Sequence, residues 1–99
     1  MALINIKHQK VLAILKENLL ECIKNDLFVN VHIHIDTLEI SHCVIPDDII
    51  IEDYIMITQG NFQLSINLEN IIEFDIEYIE AENSYAIHCD NINIYFDFN

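Results

Sequence analysis

The chain contains no arginine, a single glycine, a single proline and only four lysines. Those lysines, Lys7, Lys10, Lys16 and Lys24, all fall in the first 24 positions. Of 17 acidic residues only Glu17 and Glu21 lie in that region, so Asn25 to Asn99 holds 15 carboxylates with no lysine or arginine among them. Each scarcity excludes something. Phosphate contacts need lysine and arginine, so direct nucleic-acid binding by this stretch is excluded. With Gly60 as the only glycine there is no Gly-rich phosphate loop and no nucleophile elbow around a serine. No Gly/Pro-rich linker divides the chain, which reads as a single compact domain over residues 1–99.

No apolar run approaches a membrane span, and Met1 to Lys10 lacks the apolar core of a signal peptide; the expectation is no membrane association and a cytoplasmic protein, in the host cytoplasm if phage-encoded. Three cysteines, Cys22, Cys43 and Cys89, are an odd number without C-x-x-C spacing. That argues against a disulfide framework and suggests small core hydrophobes in a reducing compartment.

What is present is apolar and regular. The composition is 53% hydrophobic at a net charge of −13, and isoleucine, valine, leucine and aromatics alternate through the acidic part, which disorder would not require. From about Lys7 to Lys24, Val11, Leu12, Leu15, Leu19, Leu20, Cys22 and Ile23 follow a helical period. The period then becomes two. Leu27 to Asp36, Leu38 to Ile45, Ile49 to Thr58, Phe62 to Leu68, Ile71 to Glu80, Tyr85 to Cys89 and Ile92 to Phe98 read as strands. Short turns at Asp36-Thr37, Pro46-Asp47-Asp48, Gly60-Asn61, Glu82-Asn83-Ser84 and Asp90-Asn91 leave no room for crossover helices. The predicted fold is α+β: one N-terminal amphipathic helix, about 7–24, packed on a face of an antiparallel meander of six to seven strands, about 27–98.

Three groups could carry function. Glu73, Asp75 and Glu77 alternate along one predicted strand, about 6.6 Å apart on one side, comparable to successive phosphates of a nucleic-acid backbone. Glu80, Glu82 and Asp90 extend this rail, and Glu52 and Asp53 belong to a second acidic cluster near Pro46 that lacks calcium-loop spacing. The third group is His32 and His34, with Asp36, whose His-x-His spacing is one that metal-dependent enzymes use, although histidines on a polar strand face are an ordinary occurrence. No metal, cofactor or catalytic residue is expected.

The composition favours a small acidic inhibitor that occupies the basic nucleic-acid-binding groove of another protein, with Glu52, Asp53, Glu73, Asp75, Glu77, Glu80, Glu82 and Asp90 facing that partner. Anti-CRISPR and anti-restriction proteins of phages and nuclease-immunity proteins act this way; the similarity is one of size and charge. A structural subunit that forms homo-oligomers through strand edges and the run Ile49 to Ile51 is the alternative, and a homodimer is compatible with either.

A surface of one sign repels itself. Raising sodium chloride from low concentration to about 0.15 M, where the Debye length is about 8 Å, should therefore raise the melting temperature. A flat or falling melting temperature in a thermal denaturation series would count against extensive repulsion.

Overall fold

A computed structural model describes residues 6–52 and 54–98 of the chain. Asp53 lies outside the described residues, as does any lead-in at Leu3 and Ile4. Helix α1, Ile6–Asn25, buries Leu12, Leu15, Leu19 and Cys22, a stripe of one residue per turn. Leu20, assigned to the apolar face by spacing, is exposed, and so is Ile14. The helix stops because Asp26 takes a left-handed conformation with φ 53°. The N–H of Leu27 then returns to the carbonyl of Cys22 at 2.9 Å, which satisfies one of the last free helix carbonyls.

The remaining described residues form eight strands: β1 Val29–Ile35, β2 Leu38–Val44, β3 Asp48–Ile51, β4 Tyr54–Gln59, β5 Phe62–Asn67, β6 Phe74–Ile79, β7 Ser84–Cys89 and β8 Ile92–Asp97. The α+β class and the antiparallel pairing are as expected. The run Ile49 to Thr58 is a hairpin rather than one strand, since Ile49 pairs with Ile57 and Ile51 with Ile55. The alternation of isoleucines at 49, 51, 55 and 57 is interrupted at position 53, in the sequence between the end of β3 and the start of β4.

The strands also divide into two sheets, one ordered β2-β1-β8-β7-β6 and one ordered β3-β4-β5. The first hairpin is joined to the last by β1 and β8, through Val31–Phe96 and Ile33–Ile94. Residues from both sheets and from the helix share one core that includes Leu15, Leu19, Ile55, Ile57, Ile76, Ile87, Ile94 and Phe96. Instead of lying on one sheet face, α1 packs against β6 of the large sheet and β3 of the small one, and so closes one side between the two sheets. A 3-10 turn, Leu68–Asn70, carries the chain from β5 toward β6, with the Asn67 side chain capping the N–H of Glu69. Ile49 is buried and Ile50 and Ile51 are half-buried.

With a single glycine available, left-handed backbone positions fall to short polar side chains. Asp26, Asp36, Asn83 and Asp90 all have positive φ, alongside Gly60 at +55°. Aspartate and asparagine tolerate this region because their side chains hydrogen-bond locally. Part of the acidity therefore belongs to turn chemistry.

Leu15 is fully buried and Leu20 is 47% exposed on the same helix. Leu15→Ala should cost about 2–5 kcal/mol and Leu20→Ala well under about 1 kcal/mol, read from urea unfolding midpoints. Equal costs would contradict the packing of α1.

Candidate protein-binding face

The outer face of the five-stranded sheet is defined by its register. One row runs Asp75, His88, Asn93, His34, Glu39 across β6, β7, β8, β1 and β2, and the next runs Glu77, Ala86, Tyr95, His32, Ser41. The middle of the face is thus histidine, asparagine and tyrosine, and carboxylates stand at its two margins, about 19 Å apart at the usual strand spacing. The rings of His34 and His88 meet Tyr95 edge-on at 5.5 and 6.3 Å. His32 Nδ1 lies 2.8 Å from Ser41 Oγ, and His88 bonds Asn93. His34 approaches Glu39 at 3.9 Å.

His32 and His34 do share a face, yet Asp36 sits in the β1–β2 turn with a left-handed backbone. Among the described residues no group of three or more His, Cys, Asp or Glu side chains is placed to hold a metal ion. Cys22 and Cys89 are buried and Cys43 is exposed, so one of the three is no core residue. Burial pushes the Cys89 thiol up to about 11, helped by the neighbouring Asp90 charge, and burial followed by Glu21 raises Cys22.

The predicted acidic residues have separate fates. Glu77 is exposed on β6, and Glu73 is exposed just before that strand. Glu80 and Glu82, both exposed, form the 3-10 turn Glu80–Glu82 that follows it. Asp75 is exposed too, but its Oδ1 lies 2.8 Å from Nε2 of His8 on α1. That contact joins the helix start to β6, whose other flank is held by β7. His8 also packs edge-on against Phe74 at 5.6 Å.

Asp90 is structural. Its carboxylate accepts hydrogen bonds from the N–H groups of Glu73 at 2.8 Å and Ile72 at 3.2 Å, while its own N–H donates to the Glu73 carbonyl at 3.1 Å. In the small sheet Asp47 accepts from the N–H of Gly60 at 2.7 Å. Glu52 is exposed between β3 and β4. It therefore belongs to the other sheet from the β6 rail.

Several aspartates serve turns and local contacts. Asp26, Asp36, Asp47, Asp48, Asp75 and Asp90 occupy left-handed positions, bond backbone N–H groups or meet a histidine. The glutamates outside the helix, at 39, 52, 69, 73, 77, 80 and 82, are exposed like these aspartates; Glu39 approaches His34, and Glu82 accepts from Ser84 Oγ at 3.5 Å. Glu39 was not legible as part of this face from the sequence, and only the β1–β2, β1–β8 and β7–β8 pairings bring Glu39, Tyr95 and His88 beside His32 and His34. Tyr78 at 43% and Tyr54 at 37% exposure supply apolar surface near acid.

Comparison with known protein families, curated proteins and solved structures finds no match. The reading of this surface rests on its own chemistry.

Asp90→Ala should destabilise the fold by about 1–3 kcal/mol, because two N–H groups lose a charged acceptor and alanine is strained at φ 51°. Asp90→Asn, which keeps an acceptor oxygen and tolerates that backbone, should recover much of the loss. Glu77→Ala should stay within about 0.5 kcal/mol of the parent. Denaturant midpoints check all three, and an Asp90→Ala protein as stable as the parent would show that the cap is not formed.

Proposed function

We propose that the chain is a protein-binding inhibitor rather than an enzyme. In this reading it occupies the basic, nucleic-acid-binding groove of a target protein, with glutamates standing where phosphates lie, in the manner of small acidic anti-CRISPR, anti-restriction or nuclease-immunity proteins, and acts in the cytoplasm. The observation that carries the reading is the exposed series Glu73, Glu77, Glu80 and Glu82 along and beyond β6, in a chain that has no lysine or arginine after Lys24. Such a margin attracts a lysine- and arginine-lined groove at long range and repels nucleic acid itself. Once charge has guided the encounter, Tyr78 beside the series offers an amphipathic ring for close contact.

The aspartates that serve turns are not part of this surface. In this reading Asp90 is left out of the partner-facing set because its carboxylate is engaged by Ile72 and Glu73, and Asp75 adds charge to the margin while also contacting His8. Glutamate suits the remaining task because its longer side chain projects charge away from the backbone that aspartate tends to bond.

The test begins with affinity capture of a target on the immobilised chain, eluted by a salt gradient. Replacing Glu73, Glu77, Glu80 and Glu82 by Gln should leave the fold intact and slow association with that target on the order of tenfold at low salt, while flattening its dependence on ionic strength. Gln at Glu17 and Glu21, which share α1 with four lysines, should change little. The target's own nucleic acid should compete with the chain. A ternary complex of target, nucleic acid and chain, or equal effects from the helix and β6 substitutions, would rule out occupation of the groove by these carboxylates.

A further inference from the structure

We infer that the chain forms a twofold homodimer by antiparallel pairing of β2 with β2 of a second copy, giving a continuous sheet across both. Strand β2 is an edge of the five-stranded sheet, and among the described residues only β1 pairs with it. The other edge, β6, is flanked by α1. Six of the seven residues of β2 are exposed, including Leu38 at 55% and Ile40 at 44%. These two stand on the side of the sheet that faces the core elsewhere, because they share register with Ile35 and Ile33 of β1.

Natural edge strands are blunted by lysine, proline, bulges or a covering element. Strand β2 has neither lysine nor proline, pairs with β1 without a break over seven residues, and is uncovered along Leu38 to Cys43. It also carries a single carboxylate, Glu39, in a chain of charge −13. It is therefore a place where two such chains can approach with little repulsion.

The hydrogen-bonding pattern selects the register. A two-residue loop, Asp36-Thr37, joins the strands, so the flanking pair Ile35–Leu38 exchanges backbone bonds and every second pair after it does the same. Leu38, Ile40, His42 and Val44 thus point their N–H and C=O groups at β1. Glu39, Ser41 and Cys43 point theirs outward. Pairing two β2 strands about Ser41 places Ser41 opposite Ser41 of the second copy and Glu39 opposite Cys43, so all the outward groups find partners. In that register no carboxylate opposes another. On the core side Leu38 meets Val44 and Ile40 meets His42, whose ring is already fixed by stacking on Phe62 at 4.3 Å.

The partner is a second copy because the strand is self-complementary about its centre; a basic partner would find only Glu39 here. The salt response separates this interface from the groove-binding surface proposed above. Two chains of like net charge associate more tightly as salt rises, whereas a basic target dissociates.

Sedimentation of the purified chain should give twice the monomer mass at moderate salt, with a shift toward monomer at low salt and low concentration. Ser41→Pro removes an outward N–H without touching the β1 ladder and should abolish the dimer. Ser41→Glu, which sets two carboxylates face to face, should do the same should the proline variant prove misfolded by circular dichroism. In a Cys43→Ser background, Ser41→Cys should form an intermolecular disulfide on mild oxidation, since directly opposed residues in such a pair lie about 5.5 Å apart. Ser65→Cys on β5 in the same background should not. Monomer mass at every concentration and salt, a dimer that survives both Ser41 substitutions when folded, or crosslinking through position 65 instead of 41 would overturn the proposal.

Discussion

Pairing of β1 with β8 is the constraint on which the rest depends. It joins the first hairpin of the chain to the last and makes five strands into one sheet, so that Val31, Ile33, Ile94 and Phe96 line one side of the core. Without it the β1–β2 hairpin would be an isolated pair, which is marginal in water, and the histidines of β1 would have no neighbours on β7 and β8. The helix depends on the same closure. Its stripe of Leu12, Leu15, Leu19 and Cys22 needs an enclosed apolar space, which exists only once both sheets face inward and α1 bridges β6 and β3.

A second theme is how a chain with one glycine and no arginine uses acid. Turns that other proteins make with glycine are made here by Asp26, Asp36, Asn83 and Asp90 in left-handed conformations. Asp47, Asp48 and Asp90 accept backbone hydrogen bonds, Asp47 from Gly60, Asp48 from Ile49 and Asp90 from Ile72 and Glu73. The left-handed aspartates accordingly follow from glycine scarcity. The surplus that turn chemistry leaves unexplained is the set of exposed glutamates, and the β6 series is where they concentrate.

The outer sheet face illustrates how composition becomes arrangement. Five histidines and 17 acidic residues in 99 positions would scatter charge evenly if placed at random. The pairing order instead sets His32, His34 and His88 around Tyr95 and leaves Asp75, Glu77 and Glu39 at the margins. One margin is acidic and flanked by α1, while the other is nearly uncharged and open. A single sheet thereby has two unlike edges.

The local periods along the chain are enough to determine the α+β class, the helix, most strand positions, the hairpin turns and the one-signed surface, since each depends only on residues a few positions apart. Leu12, Leu15 and Leu19 declare a helix, and Asp36-Thr37 and Gly60-Asn61 declare turns, without knowledge of what packs on them. Even the reversal inside Ile49 to Thr58 left a trace at Glu52-Asp53, although it took the Ile49–Ile57 pairing to turn a broken strand into a hairpin. Tertiary structure alone decided which strands are edges, that there are two sheets, that the helix closes a side instead of covering a face, that Cys43 is exposed, and that Asp90 is a cap while Glu77 is free. All of these depend on pairings between residues far apart in the chain, chiefly β1 with β8. A period-two pattern states which side of a strand is buried, but the same pattern fits any neighbour, so it carries no information about order.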